Sequence, residues 1–147
     1  MIKMPKTQVK PAGFSVENHD RFWRVNGVNY RNKRINIDLL KTLLGRARTQ
    51  DEWVEYSRDA IFREEFYAAN LQLYHALFTA LYENREEIQA EKARAFLREA
   101  IFSEFPTTLT RIVYSSEGKD RVIHDYGLES KTEIKAGIVG PDEFIKD

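Results

Sequence analysis

The chain has 147 residues, no net charge at pH 7 and no cysteine, which excludes disulfides, thiolate metal sites and a cysteine nucleophile. Hydrophobic residues make up 42% of the chain and aromatic residues 12%, which argues against intrinsic disorder and for a chain that buries its own core.

The first thirteen residues hold three lysines and two prolines, Pro5 and Pro11, which oppose regular structure. We interpret residues 1–13 as a tail or an added edge strand, and residues 14–147 as a single domain of ordinary size. The lack of cysteine and of an apolar N-terminal run suits a reducing compartment, so we expect a cytoplasmic protein.

The strongest short-range signal in the chain is an Asn-Gly pair between two β-prone runs in residues 22–30. Both central positions of a type I′ turn need φ > 0, and Asn and Gly tolerate that conformation best. The sequence therefore predicts a hairpin that turns at Asn26 and Gly27. One of its faces would carry the apolar side chains Trp23, Val25, Val28 and Tyr30.

A short helix is predicted after this hairpin. Residues 35–37 continue a strand, and Asp38 can then act as the N-cap of a helix over residues 39–44. Gly45 suits the C′ position of such a helix, because glycine adopts the left-handed conformation without a steric cost.

A longer helix is predicted to begin near Gln50, because Thr49 and Glu52 have the spacing of a capping box. We expect it to run to about Tyr82, with a break near residues 57–60. Its two apolar stripes make it the central buried helix of the fold. One stripe is Phe62, Phe66, Ala69, Leu73, Leu77 and Ala80, and the other is Tyr67, Leu71, Tyr74, Phe78 and Tyr82.

The charge-free stretch within this helix covers the 17 positions from residue 66 to residue 82. As a helix it would be about 25 Å long, which is shorter than the roughly 30 Å hydrocarbon core of a bilayer. We therefore interpret it as a core helix and expect no membrane as a partner.

A further helix is predicted to begin at Asn84, which has Glu87 at capping-box spacing, and to end before Pro106. Beyond it, the apolar pattern changes to the alternation of short strands. Its buried stripe would be Ala93, Phe96, Leu97, Ala100, Ile101 and Phe105.

A second hairpin is predicted near the C-terminal end, with strands over residues 109–114 and 121–124 and a turn over residues 116–120. Residues 132–139 have the composition of a third strand. The predicted fold class is α+β: two or three helices, one of them central and buried, packed on a small, mostly antiparallel sheet from the N- and C-terminal hairpins.

Charge is distributed unevenly along the neutral chain. Residues 21–48 carry a net charge of +7, whereas residues 49–105 carry −6. Because bases contact phosphates and aromatic rings stack on nucleobases, the basic segment makes a nucleic-acid-binding accessory protein one alternative function. The other interpretation has the same bases neutralised by the acidic helices. The candidate binding residues of this segment are Trp23, Arg24, Tyr30 and Arg31.

The tyrosines Tyr67, Tyr74 and Tyr82 fall on one face of the predicted central helix. Tyrosine combines a large apolar ring with a polar tip, which suits interfaces and pocket walls. We therefore add Tyr67 and Tyr74 to the candidate binding residues. A helix apolar on two sides needs cover on both, so we also expect self-association as a homodimer.

Two histidines are candidates for a general base, and they define a second alternative, a small enzyme. His75 lies in a polar strip with Gln72 and Thr79, and His124 ends the second strand of the C-terminal hairpin. No nucleophile motif, phosphate loop or metal-ligand spacing accompanies either histidine, so no catalytic residue, metal ligand or cofactor is assigned. The favoured function is therefore a non-catalytic binding or protein-interaction protein.

Overall fold

The computed structural model describes residues 1–6, 8, 13–42, 48–103, 108–113 and 121–124. In this part of the chain, four strands come first, three helices follow, and two short strands come last. The strands are β1 (Ile2–Lys3), β2 (Ser15–Asn18), β3 (Phe22–Tyr30), β4 (Lys33–Leu40), β5 (Arg111–Val113) and β6 (Arg121–Ile123). The helices are α1 (Gln50–Phe62), α2 (Leu71–Glu83) and α3 (Ile88–Ser103).

The strands form two antiparallel sheets, and the predicted α+β class is confirmed. The larger sheet has the order β1-β4-β3-β2, and β5 pairs with β6 in a separate sheet. The N-terminal and C-terminal hairpins therefore do not share one sheet. β1 lies at an edge of the larger sheet, and Ile2 lies opposite Leu39 of β4.

The predicted turn at Asn26 and Gly27 is wrong, because both residues lie inside β3. They form a bulge between Val25 and Val28, and Gly27 has the positive φ of 80° that its type permits. The hairpin turns instead at Arg31 and Asn32, with φ of 49° and 62° at the two central positions, as in a type I′ turn. The four apolar side chains predicted to share a face do share one, because the bulge adds one residue between Val25 and Val28. Trp23, Val25 and Val28 are buried, and Tyr30 packs against them.

The predicted helix after Asp38 is also wrong for the residues that the structure describes. Asp38, Leu39 and Leu40 belong to β4, and all three are buried. Asp38 lies opposite Arg24 of β3, and its carboxylate pairs with the Arg24 guanidinium. The carboxylate therefore binds a residue distant in sequence and does not cap a helix. Gly45 lies outside the described residues.

The capping box at the start of α1 is confirmed, since Thr49 Oγ1 accepts the Glu52 N–H and the Glu52 carboxylate accepts the Thr49 N–H. The predicted break near residues 57–60 is misplaced. The helix continues to Phe62, and residues 63–70 form a non-helical connection to α2.

This connection has its own hydrogen bonds, which explains why the predicted long helix is two helices. Ser57 Oγ accepts the Ala68 N–H, and Tyr67 pairs with Ile2 through two backbone hydrogen bonds. Asn70 then caps α2 by accepting the Leu73 N–H. Tyr67 therefore lies outside α2, and the predicted tyrosine stripe along one helix is wrong.

The predicted cap of the next helix, Asn84, is wrong by three residues. Asn84 ends α2, and its side-chain amide donates to the Ala80 carbonyl. Glu87 caps α3, because its carboxylate accepts the N–H groups of Gln89 and Ala90.

The core lies between the larger sheet and the helices α2 and α3. Leu73, Leu77 and Leu81 of α2 are buried there, as are Ala93 and Leu97 of α3. Within the described residues, no helix is long and apolar enough to cross a membrane. The predictions for Phe105, Pro106, the turn at 116–120 and the strand at 132–139 lie outside the described residues.

Candidate functional site

A groove of about 690 Å³ lies between the turn end of the β3–β4 hairpin and helix α2. This volume is in the range of pockets that hold a small molecule or a short piece of another chain. We call it the hairpin–helix groove. The hairpin contributes Gly27, Tyr30, Arg31 and Arg34 to its lining, and α2 contributes Gln72, His75, Ala76, Thr79, Ala80 and Glu83.

Arg31 is held at the end of the groove where α2 begins. Its left-handed backbone at the turn brings the side chain to α2, where Nε donates to Gln72 Oε1 at 2.9 Å. Its guanidinium carbon lies 5.0 Å from the centroid of the Tyr30 ring, and the Tyr30 hydroxyl accepts a hydrogen bond from Asn70 Nδ2. The Gln72 bond uses one of the five N–H donors of the guanidinium, so the oriented group can still hold an anion.

Arg34 supplies a second cation to the groove. A Cβ built on Gly27 would lie 2.9 Å from Arg34 Nη2, so the guanidinium lies directly against the glycine backbone. The absence of a side chain at residue 27 therefore makes room for this cation. No side-chain hydrogen bond or ion pair joins the Arg34 guanidinium to another residue that the structure describes.

The opposite wall of the groove is one face of α2. Gln72, His75, Thr79 and Glu83 follow each other at helical spacing along this face, and Ala76 and Ala80 form its apolar part. The polar strip Gln72, His75 and Thr79 is thus a groove wall. Glu83 belongs to the same strip, and the spacing of four residues after Thr79 is the sequence signal that could have identified it.

A second groove, of about 620 Å³, lies between the N-terminal segment and the connection from α1 to α2. Arg24, Asp38 and Tyr67 line it. Arg24 Nε lies 2.8 Å from Asp38 Oδ1 and Nη2 lies 3.2 Å from Oδ2, so the two form a two-pronged ion pair. This pair neutralises the charge of both groups, and we regard the hairpin–helix groove as the better candidate site.

The six candidate binding residues fall into three places. Tyr30 and Arg31 line the hairpin–helix groove, and Arg24 and Tyr67 line the second groove. The remaining two, Trp23 and Tyr74, line neither of these grooves. Trp23 is only 8% exposed, donates from Nε1 to Gln89 Oε1 and packs against Phe96, while the Tyr74 hydroxyl is buried and accepts the Ala69 N–H.

The two candidate histidines differ in their access to solvent. His75 is exposed in the wall of the hairpin–helix groove. His124 is fully buried, with Nδ1 2.9 Å from Thr110 Oγ1, which also accepts the Leu71 N–H. Thr110 thus links His124 to the start of α2, and the burial of His124 closes it to a substrate.

The hairpin–helix groove can therefore hold an anionic group on oriented guanidinium groups while the alanines of α2 contact an apolar part of the same ligand. Among the described residues, no three His, Asp or Glu side chains converge to hold a metal ion. Comparison of the chain with models of protein families, with curated proteins and with solved structures finds no match.

Proposed function

We propose that this chain is a non-catalytic binding protein and that its partner occupies the hairpin–helix groove. The observation that supports this is Arg31, a cation whose orientation is set by Gln72 and Tyr30 at the mouth of a concave surface. Apolar walls with a few oriented polar groups are the usual composition of a ligand site. The cysteine-free composition supports a cytoplasmic location for this activity.

A small enzyme with His75 as general base is the second candidate, because the structure places His75 in the groove wall. A general base of this kind is usually oriented by a carboxylate. Glu83 is the one carboxylate among the described residues of the lining, and it follows His75 by eight residues, or about 12 Å along the helix axis. This separation is too long for a hydrogen bond, so we favour binding over catalysis.

A fragment screen by ligand-detected NMR tests the binding function. The screen should contain small carboxylates and phosphates with an apolar body. We expect hits whose binding is lost in Thr79→Trp, because an indole at this half-buried wall position would fill the groove. Ala95→Trp is the matched control, since Ala95 is exposed on α3 outside the groove.

Two results would contradict the proposal. Hits that bind Thr79→Trp as well as the parent would place the ligand site elsewhere, provided that the variant keeps the melting temperature of the parent. A fragment that the protein converts, with a rate that falls in His75→Gln and is kept in Ala95→Trp, would establish the enzyme alternative instead.

A further inference from the structure

The hairpin–helix groove is electrically polar along its length. Arg31 lies at the end where α2 begins, because its partner Gln72 is in the first turn of the helix. Glu83 is the last residue of α2 and lies at the other end of the same wall. Arg31 and Glu83 are thus separated along the helix axis.

The helix itself strengthens this polarity at its start, where the backbone dipoles place about half a positive charge. At the end of α2 the dipoles place about half a negative charge. Arg85 donates to the Tyr82 carbonyl there and offsets this charge. No described cation forms an ion pair with Glu83 itself, so a positive group on a ligand would meet its carboxylate.

The length of the polar wall indicates the size of the ligand. Gln72 and Glu83 are eleven residues apart, which corresponds to about 16 Å of helix. An extended peptide advances about 3.3 Å per residue, so about five residues would span the wall.

We propose that the groove binds an extended peptide segment of about five residues, with a carboxylate at the Arg31 end and a basic side chain at the Glu83 end. This inference rests on the proposed binding function and names its partner class. The charges of the ligand would run opposite to those of the wall, and its middle residues would pack against Ala76 and Ala80.

The same arrangement disfavours a nucleic acid in this groove. A polynucleotide carries a negative charge at every phosphate, so one end of it would meet the carboxylate of Glu83. The two aromatic rings of the basic segment are also poorly placed to stack on nucleobases. Trp23 is buried, and Arg31 lies over one face of the Tyr30 ring.

An array of immobilised hexapeptides tests the proposal. Each peptide should carry one acidic and one basic residue, placed at every pair of positions in an alanine and valine background. We expect the strongest binding when the two charged residues are four or five positions apart, and in one charge order only. The best sequence is then measured in solution by fluorescence anisotropy, together with its charge-reversed partner.

Charge-reversal variants connect this preference to the groove. We expect Arg31→Glu and Glu83→Lys each to weaken the best peptide at least about tenfold, because each change places like charges together. The double variant should prefer the charge-reversed peptide. Lys92→Glu and Glu55→Lys are the matched controls, since both positions are exposed on other helices and the changes alter net charge equally.

Three outcomes would overturn the inference. In the first, peptides bind regardless of charge order but lose binding in Thr79→Trp. This would show that the groove binds peptides without selecting the order of their charges. An array without any bound peptide would also remove it, while the fragment screen decides the binding function separately. A labelled single-stranded oligonucleotide that binds and is lost in Arg31→Glu would assign the groove to nucleic acid.

Discussion

At the residue scale, the ion pair with Asp38 inside the larger sheet distinguishes Arg24 from Arg31. Asp38 is fully buried, and Arg24 holds it with two hydrogen bonds across the sheet, an arrangement that raises the pKa of the Arg24 guanidinium. Arg31 lies at the turn and makes its hydrogen bond to Gln72 at the surface. The first arginine is therefore structural, whereas the second is available to a ligand.

We expect Arg24→Met to lower the free energy of unfolding by about 2–4 kcal/mol, because it leaves the Asp38 carboxylate buried without a counter-charge. The guanidinium is about a third exposed, which places this loss at the lower part of the usual range. Arg31→Met should change stability by less than about 0.5 kcal/mol. Urea unfolding of both variants checks this, and equal losses would show that Asp38 is not held by Arg24.

Tyr74 should make the free energy of unfolding fall at alkaline pH. Burial raises the pKa of its hydroxyl above the ordinary value of 10.0, and the hydrogen bond from the Ala69 N–H offsets part of this effect. The folded protein thus favours the neutral phenol, a contribution that is complete below pH 10 and is lost as pH rises through the folded-state pKa.

We expect Tyr74→Phe to cost no more than about 1 kcal/mol at pH 7, because the hydrogen bond that it removes is long. Between pH 9 and pH 11 the parent should lose more stability than the variant, since only the parent must ionise this phenol on unfolding. Urea unfolding at several pH values measures both curves. Parallel curves would show that the hydroxyl is accessible to solvent in the folded state.

At the element scale, the bulge in β3 depends on a glycine. A Cβ at residue 27 would lie 2.8 Å from the Gly13 carbonyl oxygen and 2.9 Å from Arg34 Nη2, and the φ of +80° is one that other residues rarely adopt. We expect Gly27→Ala to cost about 1–3 kcal/mol and to displace Arg34. Gly13→Ala is the control, because a Cβ there meets nothing within 4 Å. Equal midpoints of urea unfolding for the two variants would contradict this role.

The packing of α2 gives a second test at this scale. Leu77 is fully buried against the larger sheet, whereas Leu71 on the same helix is 40% exposed. We expect Leu77→Ala to lower the free energy of unfolding by about 2–5 kcal/mol, and Leu71→Ala to cost clearly less. A parent-like denaturant midpoint for Leu77→Ala would contradict the placement of α2 in the core.

A local signal predicted the start of α1, and a long-range partner accounts for the error at Asp38. The capping box at Thr49 needs only residues within one turn, and the structure confirms it. Asp38 has the same type of local signal, but Arg24 lies 14 residues away and takes the carboxylate into a strand. A rule that considers four or five residues at a time cannot detect such a partner.

The residues of the candidate site were predictable from local signals, but their contacts with each other were not. The chain's basic and aromatic composition identified Tyr30 and Arg31, and helical spacing identified the strip of Gln72, His75 and Thr79. Their meeting across one groove was not predictable, since it follows from a turn at Arg31 that the stronger signal at Gly27 concealed. The pairing of β3 with β4 places the turn at Arg31 and Asn32, and it places Asn26 and Gly27 inside the strand.

At the scale of the whole molecule, the chain covers one apolar side of α2 and part of the other. Leu73, Leu77 and Leu81 face the core, whereas Leu71 and Tyr82 of the second stripe are 40% and 47% exposed. Phe62, at the end of α1, is more exposed still, at 90%. Self-association stays a prediction, and Phe62 is the first residue at which to test it.

If Phe62 joins two copies, light scattering at micromolar concentration should report about twice the chain mass of 17.3 kDa. Phe62→Glu should then return the mass to that of one chain, because a charge cannot be buried at the contact without a partner. Ile88→Glu is a control at another exposed apolar position. A single-chain mass for the parent at every accessible concentration would remove the homodimer.

The bulge also determines which insertions and deletions β3 can accept. Two residues, Asn26 and Gly27, lie where a regular strand has one, so β3 is an alternating strand with a single residue added. Removing that residue would leave Val25 and Val28 two positions apart and still on one face. Removing Asn29 instead would place Tyr30 on the opposite face, away from α2. A deletion at residue 27 should therefore be milder than a deletion two residues later, although a substitution at residue 27 is strained.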